Sequence, residues 1–324
     1  MSQVQTVKGP IDTEQLGWTL MHEHIFVLST EIAQNYDTGW DEEREVTNAI
    51  TRLRELKAEG IDSIVDLTVI GLGRYLPRIQ RIAAEVDLNI VVATGLYIYH
   101  AVPHYFHFRG PGTILDGPEL MVDMFVHDIE EGIGETGVRA AILKCATDEP
   151  GVTHDVERVL RAVAQAHRAT GVPISTHTHA RSRQGLGQQR VFKEEGVDLS
   201  RVVIGHSGDT TDIDYLEELI GNGSYIGMDR FGIDVILPFE ERVETVAQMV
   251  ARGHADHMVI SHDAACVNDW LDTDVVNETM PRWHYKHCTR DVFPALKERG
   301  VTEEQLRQML VDNPRHIFDR QAGY

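Results

Sequence analysis

Residues 18–24 read Trp-Thr-Leu-Met-His-Glu-His. A short apolar run that stops in His22-Glu23-His24 has the shape of a buried strand with polar groups at its C-terminal end. Side chains alternate along a strand, so His22 and His24 share one side, about 7 Å apart at Cα. Glu23 then points the other way, toward surrounding helices. Two imidazoles so placed can chelate one cation.

The same kind of run recurs down the chain. Ser63–Leu67, Ile90–Thr94, Ala140–Leu143, Pro173–Thr176, Val202–Ile204, Ser224–Met228 and Met258–Ile260 join Trp18–Met21 as candidate strands. Most are too uniformly apolar for a half-exposed sheet and suit buried parallel strands. Helical periodicity lies between them: Glu43–Glu59 with Ile50, Leu53 and Leu56, Val156–Thr170 with Val159, Leu160 and Val163, and Thr211–Ile220 with Ile213, Leu216 and Ile220. Gly171, Gly196, Gly253 and Gly300 follow helical segments, where a left-handed residue often ends the helix. Thr302–Leu310 predicts a last helix, with Thr302 as cap and Gln305 at the capping-box position. Each strand–helix pair takes roughly 30–40 residues. Eight such units predict one closed (β/α)8 TIM barrel domain over residues 1–324, with an open doubly wound sheet as the alternative.

Bulk properties narrow the partners. A formal net charge of −21 disfavours nucleic acid and anionic membranes. Cys145, Cys266 and Cys288 give no disulfide framework. The first residues have no apolar signal region, and no apolar run is long enough to span a bilayer. A cytoplasmic enzyme is the expectation.

In a barrel enzyme the active site lies at the C-terminal ends of the strands, and there the polar residues gather. Besides His22 and His24, strand four ends in Lys144, strand five in His177-Thr178-His179, strand six in His206, and strand eight in His262-Asp263. A single His at a strand end is ordinarily a hydrogen-bonded core residue; four strands ending in His or Asp on one face point to a metal site. Imidazole and carboxylate suit zinc first, with cobalt, manganese or iron as alternatives. A protonated Lys144 would repel such cations. Burial frees its amine, which can take up carbon dioxide and become a carbamate, turning a repelling cation into a bridging carboxylate. Two divalent cations are then offset by Asp263, carboxylated Lys144 and a bridging hydroxide.

The stretch Gly17-Trp-Thr-Leu-Met-His-Glu-His24 resembles the N-terminal signature of the phosphotriesterase family of the amidohydrolase superfamily. So do Ala93-Thr-Gly-Leu96, Lys144, Gly171-Val-Pro-Ile-Ser-Thr-His-Thr178 and Ile204-Gly-His-Ser-Gly-Asp209, from about residue 7 to residue 319. Tyr97 and Gly227-Met-Asp-Arg-Phe-Gly232 are similar to the phosphotriesterase-like lactonases, which hydrolyse N-acyl-homoserine lactones in quorum quenching. The resemblance implies a binuclear centre: His22, His24 and Asp263 on one metal, His177 and His206 on the other, Lys144 and a hydroxide between them. It also implies a homodimer. Where lactonases often carry a Tyr-Cys pair after the strand-eight Asp, this chain has Ala264-Ala265-Cys266, which bears on pocket shape. His179 has no assigned part, and Gly71-Leu-Gly-Arg74 lacks the rest of a dinucleotide fingerprint.

The expected reaction is metal-assisted hydrolysis of a lactone. Tyr97 and Arg230 would meet the lactone, and Asp263, with Lys144 the catalytic pair, would carry the proton to the leaving alkoxide. Ile233, Val235, Ile236 and Leu237 after strand seven, with Cys266 and Trp270 after strand eight, would line the acyl chain. The competing expectations are an organophosphate triesterase, for which the same hydroxide attacks phosphorus, and a non-catalytic metal-binding scaffold. A serine or cysteine hydrolase lacks its nucleophile elbow.

Overall fold

The computed structural model describes residues 2–319 and 322–324. An antiparallel hairpin of Gln3–Thr6 and Gly9–Asp12 precedes the barrel. The barrel strands, numbered in chain order, are β1 Thr19–Glu23, β2 Ser63–Asp66, β3 Asn89–Gly95, β4 Ile142–Ala146, β5 Ile174–His177, β6 Val202–Ile204, β7 Tyr225–Met228 and β8 Met258–Ile260. They pair in parallel, each with its sequence neighbour. The helix packed after each strand is α1 Glu42–Ala58, α2 Leu76–Ala83, α3 Leu120–Glu130, α4 His154–Thr170, α5 Gln184–Glu194, α6 Ile213–Gly221, α7 Phe239–Ala251 and α8 Phe293–Glu298. This is the expected (β/α)8 barrel. No described helix is long and apolar enough to cross a membrane.

Period-two alternation divides the core. Ile64, Ile90, Val92, Leu143, Ile174, Ile204, Ile226 and Met258 face outward to the helices, while Val65, Val91, Ala93, Ile142, Val203, Tyr225 and Val259 fill the barrel. Carried on by two residues, the inward series reaches Lys144, Gly205, Gly227 and Ser261. β1 needs a correction to simple alternation. Met21 already faces inward, so His22 should face outward. A register shift lets Leu20 to Glu23 oppose Ile64 to Asp66, one residue extra on β1, and this bulge turns His22 back into the barrel.

The local expectations mostly hold. Thr153 caps α4 by accepting from Val156 N, and Gly171 ends it at φ 72°. Thr302 and Gln305 form the capping box, although the helix passes into a π turn at Gln308–Asp312. β4 begins two residues later than its apolar run and continues to Ala146, paired with β3 through Lys144 and with β5 through Ala146. Lys144 therefore lies within the strand.

β1 and β8 close the barrel without a ladder. Asp263 N donates to His22 O at 3.0 Å and His24 N to Ala264 O at 2.9 Å. The buried Glu23 carboxylate accepts from Ser261 Oγ, His262 N and His262 Nδ1, and from Ala264 N with its other oxygen. Behind this pair, His262 Nε2 accepts from Cys288 N. Glu23 and His262 thus lie outside the barrel, bonded to each other. Glu23→Ala would leave these donors buried without an acceptor, a loss of about 3 kcal/mol of stability. Urea denaturation should show it as a lower midpoint with an unchanged slope. Glu23→Gln, which keeps an acceptor oxygen, should lose less.

Candidate metal centre and substrate pocket

A pocket of about 300 Å³ opens at the C-terminal ends of the strands. His22, His24, Lys144, His177, His206 and Asp263 all line it. His206 and Asp263 are two of only three described non-glycine residues with positive φ, at 58° and 54°. Such a backbone costs energy and persists where the surroundings impose it. Gly205 and Gly227 leave room at this level: a Cβ on Gly205 would lie 2.0 Å from Thr176 O, and one on Gly227 2.2 Å from Asp229 Oδ2.

Each of the four imidazoles has one ring nitrogen engaged by an oxygen. His22 Nδ1 and His206 Nδ1 both donate to Asp229, at 2.8 and 2.9 Å. His24 Nδ1 donates to Thr68 Oγ1 at 2.9 Å, and that hydroxyl donates to Asp66 at 2.5 Å. His177 Nε2 donates to Asp148 at 3.0 Å. The acceptor in each case selects the tautomer and leaves the other nitrogen with a lone pair for the pocket. Burial lowers the pKa of His22 and, to about 4, that of His177, and takes His206 well below its usual value. These rings are neutral at neutral pH, the form that ligates. Asp148 is held at about 2, chiefly by its bond to His177.

Lys144 is buried, 1% exposed. Burial depresses its amine to about 8. Nζ donates to His22 Nε2 at 3.0 Å and to Thr176 O at 3.2 Å. Asp263 Oδ1 lies 3.5 Å from His22 Nε2 and 3.2 Å from His24 Nε2. Burial would raise the Asp263 pKa, but His206, His22, the His24 hydrogen bond and Arg230 hold it well below the carboxylate range. His22, His24 and Asp263 bring three donor atoms within 4.8 Å of one another. His22, His206 and Asp229 do so as well, but Asp229 already accepts both Nδ1 protons. Its geometry is that of an orienting carboxylate. Neutral nitrogens, a low-pKa carboxylate and a dischargeable lysine suit divalent cations.

Tyr97, Arg230, Ile233, Val235, Ile236 and Trp270 line the same pocket. Arg230 Nε donates to Asp263 Oδ2 at 2.9 Å, and Nη1 to Asp209 at 3.0 Å. Tyr97 OH lies 3.2 Å from His177 Nδ1 and bonds Tyr99 OH. Two expectations fail. Leu237 is buried away from the pocket, since the loop turns toward Pro238 at the start of α7. Cys266 is carried behind the wall when Cys266 N and Val267 N bond back to Ile25 O, and its Sγ meets Tyr285 OH. Val27, Leu72, Tyr99, Ala265, Asn268, Leu271, Met280 and Trp283 also line the pocket. His179 turns away to Ser182.

Sequence reasoning missed Asp229, Asp148, Thr68 and Asp66 as partners of the histidines. Asp229 had a usable signal, two residues beyond the inward Gly227. Asp148 and Thr68 lie on loops, where alternation no longer reports direction.

The sequence model of the Phosphotriesterase family matches residues 2–318. The chain belongs to the phosphotriesterase family. A phosphotriesterase homology protein of Mycobacterium tuberculosis is 68% identical over 325 residues, covering 100% of both chains. An aryldialkylphosphatase of Saccharolobus solfataricus is 40% identical, covering 96% of this chain and 98% of that one. A solved structure of the phosphotriesterase from Mycobacterium tuberculosis has a TM-score of 0.98 at 68% identity, covering 99% of this chain and 100% of that one. Phosphotriesterase-family enzymes are hydrolases that use a binuclear metal centre.

Asp229→Ala should remove the acceptor from two rings at once and lower metal affinity by roughly 10–100-fold. Chelator competition would measure this. Asp229→Asn, which keeps one acceptor oxygen, should fall between; wild-type affinity in the alanine variant would refute the orienting role.

Proposed function

We propose that this chain is a lactonase that hydrolyses N-acyl-homoserine lactones, with phosphotriesters as slower substrates. His22, His24 and Asp263 would hold one divalent cation, His177 and His206 a second, with carboxylated Lys144 shared between them. The observation that supports the metal-dependent part of this reading is the set of ring contacts: four imidazoles, each held at one nitrogen by an oxygen, line one pocket. When bound, the cations supply a water acidic enough to ionise at neutral pH and a Lewis acid for the carbonyl oxygen.

The chain's own residues do the rest. The neutral fraction of the Lys144 amine attacks carbon dioxide; a nitrogen–carbon bond forms, a proton leaves, and a carbamate results. Tyr97 and Arg230 stand beside His177 and Asp263, placed to donate to a lactone's oxygens. A carboxyl with a depressed pKa is a weak base but a ready acid once protonated. Asp263 therefore suits the return of a proton to the leaving alkoxide. Ile233, Val235, Ile236, Trp270, Leu271, Met280 and Trp283 give an apolar side to the pocket. Val235, Trp270 and Leu271 are exposed, as befits a groove that an acyl chain would cover. Each methylene covered is worth up to ~0.8 kcal/mol.

Phosphotriester hydrolysis as the main activity is the second reading, favoured by the name of the 40% identical relative. The deciding measurement is kcat/KM for a long-chain lactone against a phosphotriester with a good leaving group, on one metal preparation. The lactone should win; a wide margin for the phosphotriester makes the second reading the right one. Elemental analysis should find about two transition-metal ions per chain. Lys144→Ala should lose most activity and regain part with a short carboxylic acid plus metal. Rescue by an amine instead would refute the carbamate. Arg230→Ala should slow lactone turnover with the metal retained.

A further inference from the structure

Arg242 is a fully buried cation with no part in the site so far. It stands in the first turn of α7, the helix end at which the backbone dipole disfavours a positive charge. Burial adds a desolvation penalty. Nη1 donates to Gly208 O at 2.7 Å and to Asp209 Oδ1 at 2.8 Å. Nη2 reaches Ile233 O at 3.5 Å, and Nε has no partner. Asp209, 5% exposed, turns its other oxygen to Arg230 Nη1 at 3.0 Å, and Arg230 Nε meets Asp263 at 2.9 Å. A row of alternating charges thus runs Arg242, Asp209, Arg230, Asp263. It joins α7 to the turns after β6, β7 and β8.

We propose that Arg242 is a positioning residue for the hydrolysis: acting through Asp209, it fixes Arg230 at the pocket wall. The proposal rests on the reading of Arg230 as a substrate contact. With Oδ1 taken by Arg242, Asp209 offers Arg230 only Oδ2, so the guanidinium has one docking position on that carboxylate. Arginine keeps its proton throughout, so the row cannot pass protons and acts as a fixed scaffold of charge. The same side chain reaches the carbonyl of Ile233, a pocket residue, and so holds two loops of the site in register.

A double-mutant cycle of Arg242→Met and Arg230→Met tests this, with kcat, KM, bound metal and thermal stability measured for each protein. The substrate is whichever of the lactone and the phosphotriester wild type turns over faster. Arg242→Met should lower kcat/KM about tenfold with metal retained, yet change it less than about twofold in the Arg230→Met background. Equal fold losses in both backgrounds overturn the proposal. If Arg242→Met does not fold, Asp209→Asn, which keeps volume and removes the charge, replaces it in the cycle under the same criteria. The Arg230 Nε–H nitrogen resonance supplies a readout independent of turnover. It should exchange slowly in wild type and faster in Arg242→Met or Asp209→Asn; unchanged exchange also overturns the proposal. Turnover of neither ester by wild type would defeat the proposed function while the exchange measurement still decides the positioning role.

Discussion

The Glu23 carboxylate is the contact on which the rest depends. It collects hydrogen bonds from Ser261, His262 and Ala264 where β1 meets β8 and no strand ladder forms. The first and last strands are thereby brought edge to edge, with His22 and His24 beside Asp263. A carboxylate is suited to this seam because its two oxygens serve donors that differ in direction. The cost of burying its charge is offset by the number of donors it meets.

Inside that closure, the site is arranged by carboxylates it does not itself present to a ligand. Asp229 joins β7 to the rings from β1 and the turn after β6. Asp148 does the same for β5, and Asp66 acts through Thr68 on His24. A neutral imidazole can rotate or change tautomer unless one nitrogen is held. Here all four are held, and burial lowers the pKa of His22, His177 and His206. The strained backbone at His206 and Asp263 belongs to the same economy of position: both residues leave their strands in left-handed conformations that aim the side chains across the barrel mouth.

Around the polar centre the pocket divides by chemistry. Tyr97, Tyr99 and Arg230 supply polar groups to its lining, and Ile233, Val235, Ile236, Trp270 and Leu271 on the loops after β7 and β8 supply apolar ones. Arg230 is paired in depth, through Asp209 to Arg242. The apolar lining is open to solvent at Val235, Trp270 and Leu271.

The sequence by itself determined the barrel and the residues at its mouth. Uniformly apolar runs separated by helical periodicity specify buried parallel strands, and alternation along a strand specifies which polar residue faces inward. Lys144, His177 and the pair His22 and His24 were legible for that reason, though His22 reaches its place only through a bulge. The tertiary structure alone decided which oxygen holds each ring, how β1 closes on β8, and which loop residues reach the pocket. His22 and Asp229 are 207 positions apart, and no local pattern links them. Leu237 and Cys266 lie on loops, where no fixed period sets side-chain direction; at Cys266 it is set by backbone hydrogen bonds to the distant Ile25. Local periodicity encodes direction only within an element; beyond its end, direction is settled by what the chain meets when the barrel closes.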